Sequence, residues 1–189
     1  KTALVTGGSS GIGLAPAHRF AAEGTHVFIT GRSQSALDEA VATIGAEVTA
    51  IRSDVSNLDD LDKVTDAIAS RGHGLDVVFA NAGGGELGTL PEVTVEQFTN
   101  TFNINVGGIV FTLQKVLPLL TSGASIVLTG STAAYGGNPG KGVYAASKAA
   151  IRSLGRTWAA ELADKGIRVN TVVPGPVETP GLKGLALSG

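Results

Sequence analysis

The stretch that decides the fold is Ala3-Leu4-Val5-Thr6-Gly7-Gly8-Ser9-Ser10-Gly11-Ile12-Gly13. It begins as an apolar, β-branched run typical of a buried strand, and Leu14, Ala17 and Ala21 then share one face at helical spacing. Glycine has no Cβ, so a glycine-rich turn at this point lets the backbone come close to a pyrophosphate. The N-terminus of the helix adds free N–H groups and the positive end of a dipole.

The position of this turn carries more weight than its glycine spacing. With 27 glycines in 189 residues, such a spacing is expected by chance roughly half a time per chain. An ordinary glycine-rich turn therefore stays the alternative. Pro16 lies early in the helix that follows, and because proline has no backbone N–H to donate, we expect a kink in that helix or a displaced phosphate loop. The residues predicted to surround the pyrophosphate are Gly7, Ser9, Ser10, Gly11, Ile12 and Gly13.

Apolar runs alternate with segments of helical spacing along the whole chain. This alternation predicts an α/β fold, a doubly wound parallel sheet of the Rossmann type with strand order 3-2-1-4-5-6. No linker or low-complexity segment interrupts it, so residues 1–189 are interpreted as a single domain. The predicted strands cover residues 3–6, 26–30, 48–51, 75–79, 125–129 and 167–173.

Composition excludes several classes of function. The chain has 14 basic and 16 acidic residues, which does not suit a nucleic-acid binder. Its apolar runs are too short to span a bilayer, and it shows no signal peptide. It has no cysteine and three scattered histidines, so we expect no metal site. The cysteine content fits a reducing compartment, and we expect a cytoplasmic protein.

The end of the second predicted strand bears on cofactor choice. In dinucleotide-binding folds an acid at this point binds the ribose 2′-OH, whereas an arginine accepts a 2′-phosphate. Residues 29–33 contain Arg32 and no carboxylate. The sequence therefore predicts a preference for NADP(H) over NAD(H), with NAD(H) and a plain surface role for Arg32 as the alternatives.

The side chains best suited to acid/base catalysis lie in one segment, Tyr144-Ala145-Ala146-Ser147-Lys148. Residues i and i+4 of a helix share a face, so Tyr144 and Lys148 are expected to project together. The ammonium would lower the tyrosine pKa and let it exchange a proton near neutral pH. With 2 tyrosines and 7 lysines, chance gives this spacing in roughly one chain in fourteen, so a half-buried tyrosine beside a solvated lysine is the alternative.

Ser131 follows the fifth predicted strand. Residues at the carboxyl ends of such strands face the ligand crevice, so Ser131 can present its hydroxyl to a substrate oxygen. A turn or capping serine is the alternative.

Together these motifs resemble those of the short-chain dehydrogenase/reductase family, over essentially the whole chain. The resemblance includes the thirteen-residue step from Ser131 to Tyr144. It rests on Thr6-Gly7-x-x-x-Gly11-x-Gly13, Asn81-Ala82-Gly83, Asn105, Ser131, Tyr144-x-x-x-Lys148 and Pro174-Gly175-Pro176-Val177-Glu178-Thr179.

The resemblance implies roles for four catalytic residues. Tyr144 would be the general acid/base, and Lys148 would bind the nicotinamide ribose and depress the tyrosine pKa. Ser131 would orient the substrate carbonyl. Asn105, chosen over Asn103 for its offset from Phe98 and Gly108, would hold a water in a proton relay; a buried structural amide is the alternative.

The resemblance also implies contacts along the cofactor. Asp54 and Val55 would meet the adenine, and Asn81, Ala82 and Gly83 would line the cofactor beside the central sheet. Pro174 and Gly175 would pack at the nicotinamide, and Val177 and Thr179 would contact its carboxamide.

The implied activity is that of an NADP(H)-dependent oxidoreductase that interconverts a carbonyl and a secondary alcohol (a CH-OH group) by hydride transfer. Its partners would be a small carbonyl or alcohol substrate and further copies of the chain, in a homotetramer or homodimer. The main alternative is a catalytically silent NAD(P)-sensing protein of the same fold; an epimerase or dehydratase ranks lower. Members of the family continue beyond the length of this chain, so we expect the C-terminal substrate segment and a seventh strand to be missing from it.

Overall fold

The computed structural model describes residues 1–180 and 182, and within them six strands form one parallel sheet. The strand order is β3-β2-β1-β4-β5-β6, which confirms the predicted fold class and order. The predicted tail without a further strand, residues 181–189, lies outside the described residues except for Leu182. The strands are β1 Thr2–Thr6, β2 His26–Gly31, β3 Val48–Arg52, β4 Leu75–Ala80, β5 Leu120–Thr129 and β6 Arg168–Val172.

Helices connect consecutive strands and cover both faces of the sheet. Their bounds are α1 Gly11–Ala22, α2 Gln34–Ile44, α3 Leu58–Ser70, α4 Val95–Phe102, α5 Gly108–Val116 and α6 Gly142–Glu161. A π-helical turn, Asn103–Gly107, joins α4 to α5, and a 3₁₀ turn, Thr132–Tyr135, follows β5. None of the helices in this described part of the chain is long and apolar enough to cross a membrane.

Local sequence explains where these helices begin and end. The Asn57 side chain accepts hydrogen bonds from the backbone of Asp59 and Asp60 at 2.9 and 3.3 Å, which caps α3. At α4, Thr94 and Gln97 form a reciprocal capping box. Gly24 follows α1 with a φ of +76°, a left-handed conformation that glycine tolerates.

The sheet is buried on both faces, as the apolar strands predict. On β1, Leu4 belongs to one hydrophobic cluster, whereas Ala3 and Val5 belong to the other. Successive side chains of a strand point to opposite faces, so β1 contributes to both cores, whereas the edge strand β6 contributes Val169 to the first cluster only.

β5 begins five residues earlier than its predicted start at Ser125. Leu120 pairs with Leu75, and the register shifts between Leu75 and Val77. Gly123 has a φ of +80° within this segment. The polar Thr121-Ser122-Gly123 run is typical of a loop, but the Thr121 hydroxyl donates to Asp76 Oδ1 of β4 at 3.1 Å, and Leu120 and Ser125 on either side pair with β4.

Candidate active site

A cavity of about 850 Å³ lies across the carboxyl ends of the six strands. Because all strands are parallel, the loops that follow them meet at this edge. Three predicted residues do not line this cavity: Gly13, Asn105 and Pro174. Those that do are Gly7, Ser9, Ser10, Gly11, Ile12, Arg32, Asp54, Val55, Asn81, Ala82, Gly83, Ser131, Tyr144, Lys148, Gly175, Val177 and Thr179.

The glycine-rich loop forms a cradle that larger residues would fill. Gly7 and Gly11 have φ values of +63° and +53°, which favour glycine. A Cβ on Gly13 would lie 2.2 Å from the Gly7 carbonyl oxygen, so Gly13 lets α1 close against the loop from behind. A Cβ on Gly8, outside the predicted set, would lie 2.8 Å from Ile29 Cγ2.

Two buried hydroxyls on the cavity wall indicate a polar ligand. Thr30 and Ser53 are 1% and 2% exposed, and their hydroxyl oxygens have no hydrogen-bond partner among the described residues. Buried hydroxyls are nearly always hydrogen-bonded. They lie where β2 and β3 end, at the far end of the cavity from Tyr144. Together with the glycine cradle, they fit a dinucleotide.

Arg32 and Asp54 lie at this same end of the cavity. The Arg32 side chain is exposed, and its backbone carbonyl accepts a 3.2 Å hydrogen bond from Arg52 Nε. Arg52 was not predicted as a functional residue, and it brings a second guanidinium group to this corner. Oδ1 of Asp54 accepts hydrogen bonds from the backbone and hydroxyl of Ser56 at 2.9 and 2.6 Å.

Asn81 ties the central strands together above the sheet. Its backbone N–H donates to Thr6 Oγ1 at 3.0 Å, and its Nδ2 donates to the carbonyl oxygens of Thr6 and Gly7. The Ala82 N–H donates to Thr6 Oγ1 as well. These bonds connect the segment after β4 to the end of β1.

Tyr144 and Lys148 project from α6 into the same cavity, as the spacing predicts. Lys148 Nζ lies 5.8 Å from the centre of the tyrosine ring. The lysine is only 4% exposed, and its Nζ donates to the Thr129 carbonyl oxygen at 2.9 Å. Burial lowers the pKa of Lys148 to about 8, because desolvation disfavours the ammonium form. Gly83 gives this group room, since a Cβ there would lie 3.2 Å from Nζ.

Asn105 lies behind the cavity wall in the π-helical turn and is fully buried. Its Nδ2 donates to the Gly84 carbonyl oxygen at 2.7 Å and to Ser147 Oγ at 2.9 Å, while its Oδ1 accepts from the Gly84 N–H. Ser147 Oγ in turn donates to the Tyr144 carbonyl oxygen at 2.7 Å. The amide thus connects the loop after β4 to the first turn of α6; its role in holding a water stays a prediction.

Ser131 lines the cavity and also caps the 3₁₀ turn that follows it. Its Oγ accepts a 3.2 Å hydrogen bond from the Ala133 N–H. Accepting that bond leaves its own O–H free to donate. The capping interpretation is therefore confirmed, and the role of Ser131 towards a substrate oxygen stays a prediction.

Several wall residues were missed by sequence reasoning. Lys141 could have been found from its spacing, because it lies three positions before Tyr144, at the N-cap of the helix that carries the tyrosine. Within residues 1–180 and 182, no group of three or more His, Cys, Asp or Glu side chains could hold a metal ion. Further residues on the wall are Gly84, Gly85, Leu87, Ile104, Thr129, Thr132, Ala133, Asn138, Pro176 and Leu182.

Comparison with known proteins identifies the family to which the chain belongs. The short chain dehydrogenase family model matches residues 1–187. Oxidoreductase asL5 of Sarocladium schorii is 46% identical over 181 residues, which cover 95% of this chain and 73% of that protein. Dehydrogenase/reductase SDR family member 4 of Mus musculus is 38% identical, over 95% and 66% of the two chains.

Two solved structures are similar throughout. A short chain dehydrogenase from Burkholderia cenocepacia in complex with NADP has a TM-score of 0.90 at 38% identity, covering 95% of this chain and 76% of that one. A Brucella melitensis short-chain dehydrogenase/reductase, described as glucose/ribitol dehydrogenase, has a TM-score of 0.94 at 33% identity, over 100% and 77%. The chain belongs to the short-chain dehydrogenase/reductase family, whose members are NAD(P)-binding oxidoreductases.

Proposed function

We propose that this protein is an NADP(H)-dependent oxidoreductase that interconverts a ketone or aldehyde with an alcohol, with Tyr144 as general acid/base. The observation that supports this most strongly is the shared cavity: Tyr144, Lys148 and Ser131 line the same space as the glycine-rich cradle. A bound nicotinamide would supply or accept the hydride.

The chain's own residues handle the substrate oxygen and its proton. Ser131 and Tyr144 each carry an O–H that can donate to one carbonyl oxygen, which orients the carbonyl and stabilises developing negative charge. In the reductive direction Tyr144 gives its proton to that oxygen, forming the alcohol O–H bond. Lys148, as an ammonium below about pH 8, stabilises the phenolate that remains.

Asn105 enters the proposal as a positioning residue. Its hydrogen bonds to Gly84 and Ser147 hold the loop after β4 against the turn of α6 that carries Tyr144. Loss of these bonds would move the acid/base relative to the loop that faces it, and small displacements of a catalytic group are costly.

A tyrosine pair in the chain allows a matched experiment. Tyr144→Phe is expected to lower kcat for NADPH-linked carbonyl reduction by about 10²-fold or more, with the NADPH Kd changed less than about threefold. Tyr135→Phe is the control, because Tyr135 is exposed, faces Arg152 and does not line the cavity. The measurement is NADPH absorbance against a panel of ketones and aldehydes.

The outcomes separate the two functions considered. A silent sensor would bind NADPH and never oxidise it with any carbonyl of the panel. Turnover that survives in Tyr144→Phe at the level of the Tyr135→Phe control would overturn the role of Tyr144.

We also propose NADP(H) as the preferred cofactor. Supporting this, Arg32 lies at the end of β2 without a neighbouring carboxylate in residues 29–33, and Arg52 lies beside it. Arg32→Gln is expected to weaken NADPH binding about tenfold or more, as for a lost charge-assisted phosphate contact, and to leave NADH binding within about twofold. Arg168→Gln, at the opposite edge of the sheet, is the control; equal losses for both nucleotides would contradict the preference.

A homodimer or homotetramer completes the proposal. Three phenylalanines form an aromatic patch on the outside of the α4–α5 unit: Phe98, Phe102 and Phe111. Phe98 and Phe102 stack at 4.8 Å, while Phe98 and Phe111 are 49% and 40% exposed. Exposed aromatic side chains of this kind support an association surface on α4 and α5.

A further inference from the structure

The charged residues on the cavity wall divide into two groups. Arg32 and Asp54 follow β2 and β3, at the end assigned to adenosine. Lys141 and Lys148 lie at the other end, around Tyr144. Among the described residues, no carboxylate lines this second end, so its charge is positive.

At this end, the ammonium of Lys148 already has a hydrogen-bond partner within the protein. Its Nζ is buried and donates to the Thr129 carbonyl oxygen. A substrate group that reached it would have to displace this hydrogen bond. Lys141 is therefore the cation available to a substrate.

Lys141 is half-buried and no carboxylate pairs with it in the part of the chain that the structure describes. By contrast, Lys63 and Lys115 pair with Asp60 and Asp62. A lysine on a cavity wall with no internal partner is poised to attract an anion, since a cleft of one charge sign concentrates ligands of the other.

Two hydrogen-bonded loops hold Lys141 next to the reacting position. The Lys141 N–H donates to the Asn138 carbonyl oxygen at 3.2 Å, and the Gly88 N–H donates to the Gly140 carbonyl oxygen at 2.9 Å. The second loop also approaches Tyr144, since a Cβ on Gly85 would lie 3.0 Å from Tyr144 Cδ2. Lys141 and Tyr144 both line the cavity beside these loops.

We propose that the substrate carries a carboxylate, which binds the Lys141 ammonium while the carbonyl of the same molecule binds Tyr144 and Ser131. This deepens the proposed function and rests on it. Lys141 is the N-cap residue of α6 and Tyr144 lies in the first turn of that helix. Because both residues line one cavity, one small oxo acid can reach both. The apolar wall at Leu87 and Ala133 would contact its carbon skeleton.

The first experiment compares acids with their neutral esters. The probes are levulinate and 4-acetylbenzoate, each against its methyl ester, with NADPH oxidation as the readout. The wild-type protein is expected to prefer the acid in at least one pair. Lys141→Gln is expected to lower the acid-to-ester ratio of kcat/KM at least tenfold, mainly through the KM of the acid, because the ion pair forms in ground and transition states alike.

Two variants serve as controls for charge. Lys141→Arg keeps the charge and is expected to preserve a preference for the acid. Lys165→Gln removes an exposed lysine in the turn before β6, away from the cavity, and is expected to leave the ratio unchanged. An unchanged ratio in Lys141→Gln, or a wild-type protein that prefers both esters, would overturn the proposal.

A binding experiment makes the proposal independent of turnover. Calorimetry with 4-acetylbenzoate and the NADP⁺-saturated protein is expected to show a Kd at least tenfold weaker for Lys141→Gln, with the Kd of NADP⁺ unchanged. If Lys141→Gln weakens NADP⁺ instead, the lysine contacts the cofactor and the proposal is wrong. If no carbonyl is ever reduced, the proposed function fails, while acid binding that depends on Lys141 would still support the anion site.

Discussion

At the scale of the residue, Lys148 is the titratable side chain whose pKa is shifted furthest from its ordinary value among the described residues. It is buried beside Tyr144, and burial brings its pKa down to about 8. The fold thus holds an ammonium at neutral pH at a cost in desolvation. That cost fits a functional role, because in the proposed mechanism the same charge would stabilise a phenolate at Tyr144.

Lys148→Met is expected to change how stability depends on pH. The pKa of Lys148 is lower in the folded chain than its ordinary value of 10.5, so the unfolded chain binds the proton more tightly. The desolvation cost of the charged Lys148 lowers the unfolding free energy in full below about pH 8, and this loss is relieved as the pH rises towards 10.5. Relative to Lys148→Met, the unfolding free energy of the wild type should therefore increase from pH 8 to pH 10.

Urea unfolding at several pH values, without nucleotide, measures this difference. Lys165→Met is the control, since Lys165 is exposed and its removal should leave the wild-type slope intact. Parallel profiles for the wild type and Lys148→Met would show that the buried lysine keeps its ordinary titration.

At the scale of the element, α1 runs without a break from Gly11 to Ala22 through Pro16. The helix is therefore not interrupted at Pro16, while the expected kink or displaced loop stays a prediction. Proline has no N–H for the carbonyl of Ile12, four residues earlier. Side-chain packing therefore holds α1 against the sheet, and Ala17 is fully buried in that contact.

Pro16→Ala is expected to stabilise the protein. Replacing a proline inside a helix with alanine stabilises the helix by about 3 kcal/mol. The unfolded chain gains conformational freedom from the same replacement, which offsets up to about 1 kcal/mol of that stabilisation. We expect a net gain of about 1–2 kcal/mol in the unfolding free energy, measured by urea denaturation. Pro91→Ala, in an exposed turn before α4, should be neutral or slightly destabilising; a loss of stability in Pro16→Ala would indicate that the proline ring itself packs favourably.

At the scale of the whole molecule, the aromatic patch of Phe98, Phe102 and Phe111 is the surface expected to associate. Its members are close together: a Cβ on Gly107 would lie 3.9 Å from the Phe102 carbonyl oxygen and 3.8 Å from the Phe111 ring. Exposed aromatic rings are enriched at the centres of protein interfaces.

Phe111→Asp is expected to convert a dimer or tetramer into smaller species, because a carboxylate placed in an apolar interface is desolvated without a partner. Sedimentation velocity over a concentration series measures the mass. Leu90→Asp is the control, since Leu90 is 93% exposed and lies outside the aromatic patch. A wild type that sediments as a monomer throughout, or an unchanged mass in Phe111→Asp, would rule out association through this surface.

Features that depend on near neighbours in the chain were readable from the sequence. Strand and helix periods are local, so the fold class followed from the alternation of apolar runs. The face shared by Tyr144 and Lys148 followed from the spacing of one helical turn. The glycine cradle was predicted as well, because its tight turn lies within one βα unit.

Only the tertiary structure decided which distant segments meet. The partners of Asn105, at Gly84 and Ser147, lie 21 and 42 positions away, and no local pattern connects them. Arg52 meets Arg32 because β2 and β3 are paired, and Lys141 faces the cavity because two loops are hydrogen-bonded above it. The sequence by itself determined the elements and the reacting pair. The packing of parallel strands determined the walls around them, because it brings remote loops to one edge of the sheet.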